Sequence, residues 1–391
     1  MCYDIQNSFT IIKVNKYSKC SIEEEKMEEV SKNEEKIAMN SAFAYGSFTA
    51  SDGTVIPYRY YLPEDYATSG KNYPVFFYLH GNGSRGTDNK AHLSAYSINT
   101  AVFNSDHECI MIAPQCPGRP EEWTLYGSVG KVNTYPGSKA YAEFLESGEP
   151  YGSKYFCAAA ELLDMFLTDY RADTSRVYLA GGSNGAGAVW NLMALYPEVF
   201  AAAVPIAGSR ATEEAVHSVA HRMKDIAIWT FHGDQDNEAG VPPEGTRIMS
   251  AAIKDIGGNI TYTEVVGGNH SNIWRIAADT EGLIDWLFAQ RNGSFENTIS
   301  KEKGEALPAP TNLSWNGNTA TWDAVENAGA YKITLYISGI AAKTYYTYKN
   351  SFTPDIPLHD GVQYNFIVRA FPQKNQYSIS AESAMSGVYV S

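Results

Sequence analysis

The sequence predicts an α/β fold, a doubly wound and mostly parallel sheet, followed by a small all-β sandwich domain. Short apolar runs typical of strands buried on both faces recur along the chain; they lie at 73–79, 109–113, 176–180, 202–206, 226–231 and 260–266. Stretches of helical character lie between several of them, at 156–170, 185–196, 245–256 and 280–290. This alternation predicts parallel strands with helices on each side of the sheet. Beyond residue 307 the segments 319–322, 331–337 and 364–370 alternate without helical periodicity, which predicts the sandwich.

Length and composition indicate more than one domain. With 391 residues the chain exceeds one ordinary domain, and its 44% hydrophobic content suffices for a sizeable core. Residues 21–36 carry seven Glu and three Lys, which suits a solvated helix or a disordered arm better than a folded layer. We therefore expect a charged, flexible arm at 1–41, an α/β domain at 42–292, a linker at 293–306 and the sandwich at 307–391.

The α/β domain is predicted to begin with a hairpin and to carry one long insertion. Segments 43–49 and 55–62 have strand character and are joined through Ser51-Asp52-Gly53, a turn sequence. Residues 118–152 are rich in Gly, Pro, Ser and aromatic side chains and interrupt the alternation. Such a loop is either a functional lid or an irregular surface insertion, and the sequence favours neither.

Charge, hydropathy and cysteine usage argue against several classes of protein. A formal net charge of −14 disfavours a nucleic-acid partner, whose binding needs clustered Lys and Arg. The apolar runs are shorter than the roughly 18 residues that suggest a membrane span, so no span is predicted. Five cysteines without a C-x-x-C pair indicate neither a disulfide framework nor a metal site. Residues 1–20 show no basic start followed by an apolar stretch, so no secretory signal is visible.

The run VYLAGGSNGAG at 177–187 predicts a buried strand that turns sharply into a helix, with Ser183 at the corner. This is the pattern G-x-S-x-G, in which the serine is held in a strained conformation. Gly181 and Gly185 lack side chains, so strand and helix can approach closely there. The pattern makes Ser183 the candidate nucleophile.

A serine hydroxyl needs a base within hydrogen-bond reach and a carboxylate that orients the base. In this architecture they follow in the order Ser, Asp, His. The predicted strand at 226–231 is followed by Asp234 and Asp236, and the strand at 260–266 is followed by His270. We favour Asp236 because it lies further past the strand end, and Asp234 remains the alternative. A surface histidine without function is the competing interpretation of His270.

Backbone groups beside Ser183 could stabilise an anionic oxygen. The sequence His80-Gly81-Asn82-Gly83 follows the strand at 73–79, and its flexible backbone can direct the N–H of Asn82 at that oxygen. The N–H of Asn184, at the positive end of the helix after Ser183, would be the second donor. Residues 81–86 also match G-x-G-x-x-G, but polar residues follow where a dinucleotide site needs an apolar helix. We therefore expect no nicotinamide cofactor.

Three aromatic residues are candidates for binding substrate. Trp123 and Tyr126 lie in the insertion, and Trp274 follows His270 closely. Their rings could stack on an acyl group or a sugar. Ordinary core or lid packing is the alternative for all three.

Three motifs carry a family resemblance. They are His80-Gly81-Asn82-Gly83-Ser84-Arg85-Gly86-Thr87-Asp88-Asn89, Pro114-Gln115-Cys116-Pro117 with Trp123, and Asp173-Thr174-Ser175-Arg176-Val177-Tyr178 leading into Gly181-Gly182-Ser183-Asn184-Gly185. Through them residues 42–292 resemble the α/β-hydrolase superfamily and, within it, bacterial carboxylesterases of the phospholipase/carboxylesterase-like, polyhydroxybutyrate-depolymerase-like and feruloyl-esterase-like groups. The resemblance implies Ser183 as nucleophile, Asp236 as triad acid and His270 as base, without a cofactor. A slightly longer loop than usual, residues 237–240, follows the acid and keeps Asp234 open.

Residues 307–391 resemble a fibronectin type III module. The resemblance rests on Pro308-Ala309-Pro310-Thr311-Asn312-Leu313, Thr321-Trp322-Asp323, Tyr331 and Tyr364-Asn365-Phe366-Ile367-Val368-Arg369-Ala370. Such modules accompany secreted polysaccharide-degrading enzymes, which favours export and ester substrates from plant cell walls.

The sequence therefore predicts a cofactor-free serine esterase that acts on a small-molecule or polysaccharide-linked ester, with feruloyl and acetyl esters as the favoured substrates. A serine peptidase of the same superfamily is the enzyme alternative. The non-enzyme alternative is a carbohydrate-binding or scaffold protein. The oligomeric state is not predicted.

Overall fold

The structure is a computed structural model that describes residues 9–13, 22–93, 95–118, 123, 153–237, 241–293, 304–374 and 376–390. Most of the predicted insertion at 118–152, and residues 294–303 of the predicted linker, lie outside the described residues. Within the described part, no helix is both long and apolar enough to cross a bilayer.

A nine-stranded sheet forms the centre of the larger domain, with strand order β1-β9-β8-β7-β6-β4-β5-β3-β2. The strands are β1 Phe9–Lys13, β2 Ala44–Thr49, β3 Val55–Tyr61, β4 Tyr73–Leu79, β5 Ile110–Pro114, β6 Ala172–Gly182, β7 Ala202–Ile206, β8 Ala227–Gly233 and β9 Ile260–Val266. Strand β3 is antiparallel to both of its neighbours, and the other pairings are parallel. The predicted mostly parallel sheet and its opening hairpin are confirmed.

Helices cover the two faces of this sheet. They are α1 Ile22–Ala42, α2 Tyr66–Ser69, α3 Ile98–Phe103, α4 Lys154–Asp169, α5 Asn184–Leu195, α6 Pro243–Asp255, α7 Ile273–Ala278 and α8 Leu283–Ala289. Short 3₁₀ turns lie at Asn82–Ser84, Ala91–Leu93, Val216–Ser218 and Ala220–Met223. The four predicted helices correspond to α4, α5, α6 and α8.

The apolar sequence of β4 follows from its central place in the sheet. Val75, Phe77 and Leu79 belong to the core on the side of α4, α5 and α6. Phe76 and Tyr78 point to the other side, where they join the core under α3, α7 and α8. Because side chains alternate across a strand, a strand between two helical layers is apolar at every position.

Part of the predicted arm at 1–41 packs on the sheet domain. Strand β1 pairs in parallel with the edge of β9. In α1, Met39 is fully buried against the core beneath α3 and α7. Lys32 forms an ion pair with Asp279 and lies over the ring of Tyr96, 4.8 Å from its centroid.

The C-terminal residues form two antiparallel sheets and a short parallel pair, β10-β17, around a separate apolar core. The strands are β10 Glu305–Ala306, β11 Ser314–Asn316, β12 Thr319–Thr321, β13 Ala328–Ile337, β14 Ile340–Thr347, β15 Ser351–Phe352, β16 Gln363–Pro372, β17 Tyr377–Ser378 and β18 Tyr389–Val390. A three-stranded sheet has the order β11-β12-β15 and a four-stranded sheet the order β14-β13-β16-β18. Two histidines of the larger domain contact this unit. The His221 Nε2 lies 3.0 Å from the carbonyl oxygen of Pro372, and the His217 Nδ1 lies 2.7 Å from the Tyr348 hydroxyl.

Candidate active site

Ser183 occupies the sharp turn between β6 and α5. Its backbone has φ 55° and ψ −120°, a conformation that costs a non-glycine residue about 1–3 kcal/mol. A β-carbon on Gly181 would lie 2.6 Å from the carbonyl oxygen of Leu79, and one on Gly185 would lie 2.0 Å from the same oxygen. The end of β4 therefore presses directly against this turn, as the G-x-S-x-G pattern predicts, and the turn projects the serine from the carboxyl edge of the sheet.

His270 and Asp236 reach Ser183 from two neighbouring loops at that edge. The His270 Nε2 lies 3.0 Å from the Ser183 Oγ, and the His270 Nδ1 lies 2.7 Å from the Asp236 Oδ2. A carboxylate only accepts hydrogen bonds, so the Nδ1–H donates to Asp236 and the Nε2 is left to accept from the serine hydroxyl. The three side chains thus form one continuous hydrogen-bonded chain.

The two candidate carboxylates have different environments. Asp236 is fully buried, and burial would raise its pKa, but hydrogen bonds from His232 and His270 outweigh burial and lower the pKa to about 2. Asp234 is half-buried, and its Oδ1 accepts the backbone N–H of Gly267 at 2.7 Å. Asp236 is the carboxylate that contacts His270, while Asp234 braces the loop that precedes His270.

The loop that carries Asn82 lies against the serine turn. A β-carbon on Gly81 would lie 3.1 Å from the carbonyl oxygen of Gly182 and 3.3 Å from the Ser183 Cβ, so the adjacent Asn82 is beside the candidate nucleophile. Asn184 is the first residue of α5, and the positive end of that helix faces the same region. The structure therefore brings both predicted oxyanion donors close to Ser183.

Buried contacts fix the start of this loop. The His80 Nε2 accepts the backbone N–H of Cys116 at 2.9 Å, so its proton is on Nδ1, which donates to the Gly81 carbonyl at 2.7 Å. Burial lowers the pKa of His80 to about 4, which keeps the ring neutral. The Trp123 Nε1–H donates to the His80 carbonyl at 3.0 Å.

Asp88 and Gln115 hold the rest of the loop in place. Both residues belong to the sequence motifs described above, but this role does not follow from the motifs. The Asp88 Oδ1 accepts from the Gln115 Nε2 at 2.8 Å and from the backbone N–H groups of Lys90 and Ala91 at 2.9 and 3.1 Å. The Gln115 Oε1 in turn accepts the Asn89 N–H at 2.6 Å. These bonds, that from Gln115 most, lower the pKa of Asp88 to about 2. Gln115 is fully buried, and a buried amide of this kind is identified only once the fold is known.

The predicted aromatic contacts fall into three situations. Trp123 is only 1% exposed, and its contact with His80 makes it a support of the loop in this structure. Trp274 is half-buried, and its ring meets that of His270 edge to face, with centroids 5.0 Å apart. It also covers Gly182, where a β-carbon would lie 2.4 Å from the indole. Tyr126 lies outside the described residues.

The sheet order, the serine turn and the loop that carries His270 together define an α/β-hydrolase fold. Comparisons with known proteins agree with this class. A family model described as Esterase PHB depolymerase matches residues 131–241, a segment that includes Ser183 and Asp236 and ends before His270. No curated protein matches this chain significantly.

Solved structures of esterases are among those similar to this chain. A thermostable esterase is 28% identical, with a TM-score of 0.53, over 65% of this chain and 64% of the other. This chain therefore spans less than two thirds of that esterase. A ferulic acid esterase is 16% identical, with a TM-score of 0.45, over 63% of this chain and 97% of the other. A feruloyl esterase module from Clostridium thermocellum is 14% identical, with a TM-score of 0.41, over 65% and 89% of the two chains. The last two likenesses are too distant to indicate a substrate.

Proposed function

We propose that the protein is a serine carboxylic-ester hydrolase that works through an acyl-enzyme. The hydrogen-bonded chain from Ser183 through His270 to Asp236, with distances of 3.0 and 2.7 Å, carries this proposal. The match to an esterase family model and the likeness to a thermostable esterase support it.

The first half of the reaction acylates Ser183. The His270 Nε2 removes the hydroxyl proton as Oγ attacks the ester carbonyl, and the carbonyl electron pair moves onto its oxygen. The backbone N–H groups of Asn82 and Asn184 donate to that oxyanion. The intermediate then collapses, the ester C–O bond breaks, and the imidazolium of His270 gives its proton to the departing alcohol oxygen.

The second half of the reaction releases the acid. Water enters the place of the alcohol and gives a proton to the His270 Nε2 as it attacks the acyl carbonyl. The second tetrahedral intermediate collapses, the bond to the Ser183 Oγ breaks, and the proton returns to the serine. Asp236 stays ionised throughout, because its pKa of about 2 is far below neutral pH. Its role is to fix the tautomer of His270 and to stabilise the imidazolium.

The proposed substrates are feruloyl or acetyl esters of plant cell-wall polysaccharide. Support comes from the sequence resemblance of residues 42–292 to feruloyl-esterase-like enzymes and of residues 307–391 to fibronectin type III modules. The half-buried ring of Trp274 beside His270 offers an apolar face to an acyl group. Residues 307–391 are proposed as a spacer or carbohydrate-contacting domain joined to the hydrolase domain.

A panel of substrates tests both the serine-esterase mechanism and the proposed cell-wall substrates. Initial rates are measured with a short nitrophenyl ester, methyl ferulate, acetylated xylan and a peptide nitroanilide. We expect hydrolysis of the nitrophenyl ester and of at least one of the two cell-wall substrates, and much slower cleavage of the peptide. Ser183→Ala should lower every ester rate by about 10⁴-fold or more.

Each alternative has a distinct outcome in this panel. Equal rates for the wild type and Ser183→Ala would exclude the serine mechanism. Hydrolysis of the nitrophenyl ester alone would reject cell-wall esters and leave the esterase proposal intact. Faster cleavage of the peptide than of any ester would favour a serine peptidase.

A further inference from the structure

His232 is a fully buried histidine near the end of β8, four residues before Asp236. Its Nδ1 lies 2.7 Å from the Thr246 Oγ1 on α6. Its Nε2 lies 3.0 Å from the carbonyl oxygen of Val241 and 3.2 Å from the Asp236 Oδ2. Every polar atom of the ring therefore has a partner, and one partner is the carboxylate of the candidate triad.

These contacts determine where the proton of His232 lies. The Nε2 faces a carbonyl and a carboxylate, which are both acceptors, so this nitrogen carries the proton and shares it between them. The Nδ1 then accepts from the hydroxyl of Thr246, which can donate. The ring is thus held in one orientation, with its Nε2–H directed at Asp236.

Helix α6 keeps the Thr246 hydroxyl in place. The next residue, Arg247, binds Glu264 of β9 with two parallel hydrogen bonds, from Nε at 2.7 Å and from Nη2 at 2.9 Å. Glu264 is also the register partner of His232 across β8 and β9. Paired Arg–carboxylate bonds fix orientation as well as distance, so α6 is tied to β9 at the position beside His232.

The Asp236 carboxylate depends on few donors. Its Oδ2 receives both the His270 Nδ1–H and the His232 Nε2–H. Its Oδ1 has no hydrogen-bond partner among the described residues. A buried carboxylate that loses one of two donors is free to rotate and is poorly solvated.

We infer that His232 is a positioning residue for the reaction proposed above: by donating to the same carboxylate oxygen as His270, it holds Asp236 in the orientation that aligns His270 with Ser183. This inference rests on the proposed function. His232 does not touch the reacting atoms and acts through Asp236. Its removal should therefore slow the chemical step and leave substrate binding nearly unchanged.

Two substitutions of His232 separate hydrogen bonding from packing. His232→Phe keeps a planar ring of similar size and removes the donor. His232→Gln places an amide N–H₂ near the former Nε2, where it can donate to both Val241 and Asp236. We expect His232→Phe to lower kcat by about 10- to 100-fold, as small misplacements of catalytic groups do, with little change in KM. His232→Gln should recover most of that loss.

A spectroscopic measurement keeps the test valid if a variant is inactive. In folded wild-type protein, the His270 Nδ1–H bonded to Asp236 should give a low-field proton resonance, assigned by its loss in His270→Gln. We expect the resonance to shift or broaden in His232→Phe and to return in His232→Gln. Thr246→Val, which removes only the donor to Nδ1, provides a milder variant and should give an intermediate kcat.

Wild-type kcat and an unchanged resonance in His232→Phe would overturn the inference. Equal loss in the Phe and Gln variants would also overturn it, because packing and not donation would then be responsible. Ser183→Ala is measured in parallel. Full activity of Ser183→Ala would reject the proposed function instead, and the resonance would then decide whether His232 positions Asp236.

Discussion

Replacing Asp236 with asparagine is expected to lower kcat for ester hydrolysis by about 10³- to 10⁴-fold while the protein remains folded. Asparagine is neutral, so the imidazolium formed at His270 loses its counter-charge at 2.7 Å. An amide N–H₂ turned toward the Nδ1 would also favour the tautomer in which the Nε2 carries the proton and cannot accept from Ser183. Steady-state kinetics at saturating ester, with circular dichroism to verify folding, measures the effect.

Asp234→Asn is the matched control for that substitution. Asp234 lies two residues from Asp236, and its replacement by asparagine removes the same charge. Its Oδ1, however, accepts the backbone N–H of Gly267. We expect kcat to fall by no more than a few fold, since only a loop contact is weakened. The reverse pattern, with Asp234→Asn the more damaging, would assign the acid role to Asp234.

Replacing Gly185 with alanine is expected to cause the second large effect, on stability. The added carbon would lie 2.0 Å from the carbonyl oxygen of Leu79 and 2.7 Å from that of His80. Both contacts are with backbone at the end of β4, so no side chain can rotate away. Overpacking typically costs about 1–3 kcal/mol, and we expect this clash to exceed that range. The free energy of unfolding, measured in urea, should fall accordingly or the protein should fail to fold.

Gly83→Ala provides the comparison. A β-carbon at Gly83 meets no atom within 4 Å, and the free energy of unfolding should change by less than about 1 kcal/mol. If Gly185→Ala were as stable as Gly83→Ala, β4 could not lie as close to the serine turn as the structure places it.

The inner strands of the central sheet could be predicted best where they are buried on both faces, as β4, β5 and β7 are. Strands β4, β7 and β9 have the bounds expected from their apolar runs, which are typical of strands that lie between two helical layers. The proximity of Ser183, Asp236 and His270 could likewise be predicted, because each follows a strand of the sheet and the carboxyl ends of parallel strands meet at one edge.

Elements whose structure depends on distant partners could not be predicted. Strand β1 is five residues long and pairs with β9, about 250 positions along the chain, so no local pattern distinguishes it. Helix α1 is rich in Glu and Lys, and its buried contact through Met39 depends on packing beneath α3 and α7. The roles of the aromatic residues also depend on partners that are distant in sequence. A tryptophan in a loop has the same sequence signature whether it meets a ligand or, as Trp123 does, donates to the backbone of His80.

Within the site, the contacts of His232 show the same dependence on partners that are distant in sequence. The sequence His232-Gly233-Asp234-Gln235-Asp236 indicates a strand that ends in acidic residues, but the partners of His232 at Thr246 and Val241 come from the chain beyond. The importance of a buried histidine follows from its tautomer, and its tautomer follows from neighbours that only the fold supplies.

Identifying the acylated residue tests the central claim most directly. The protein is mixed with an excess of a short nitrophenyl ester, quenched in acid during steady-state turnover, digested and examined by mass spectrometry. We expect the acyl group on Ser183 alone, and its accumulation should increase in a variant whose deacylation is slowed. Ester hydrolysis at full rate with the acyl group on another residue, or with Ser183 left unmodified under conditions that trap the intermediate, would contradict the account.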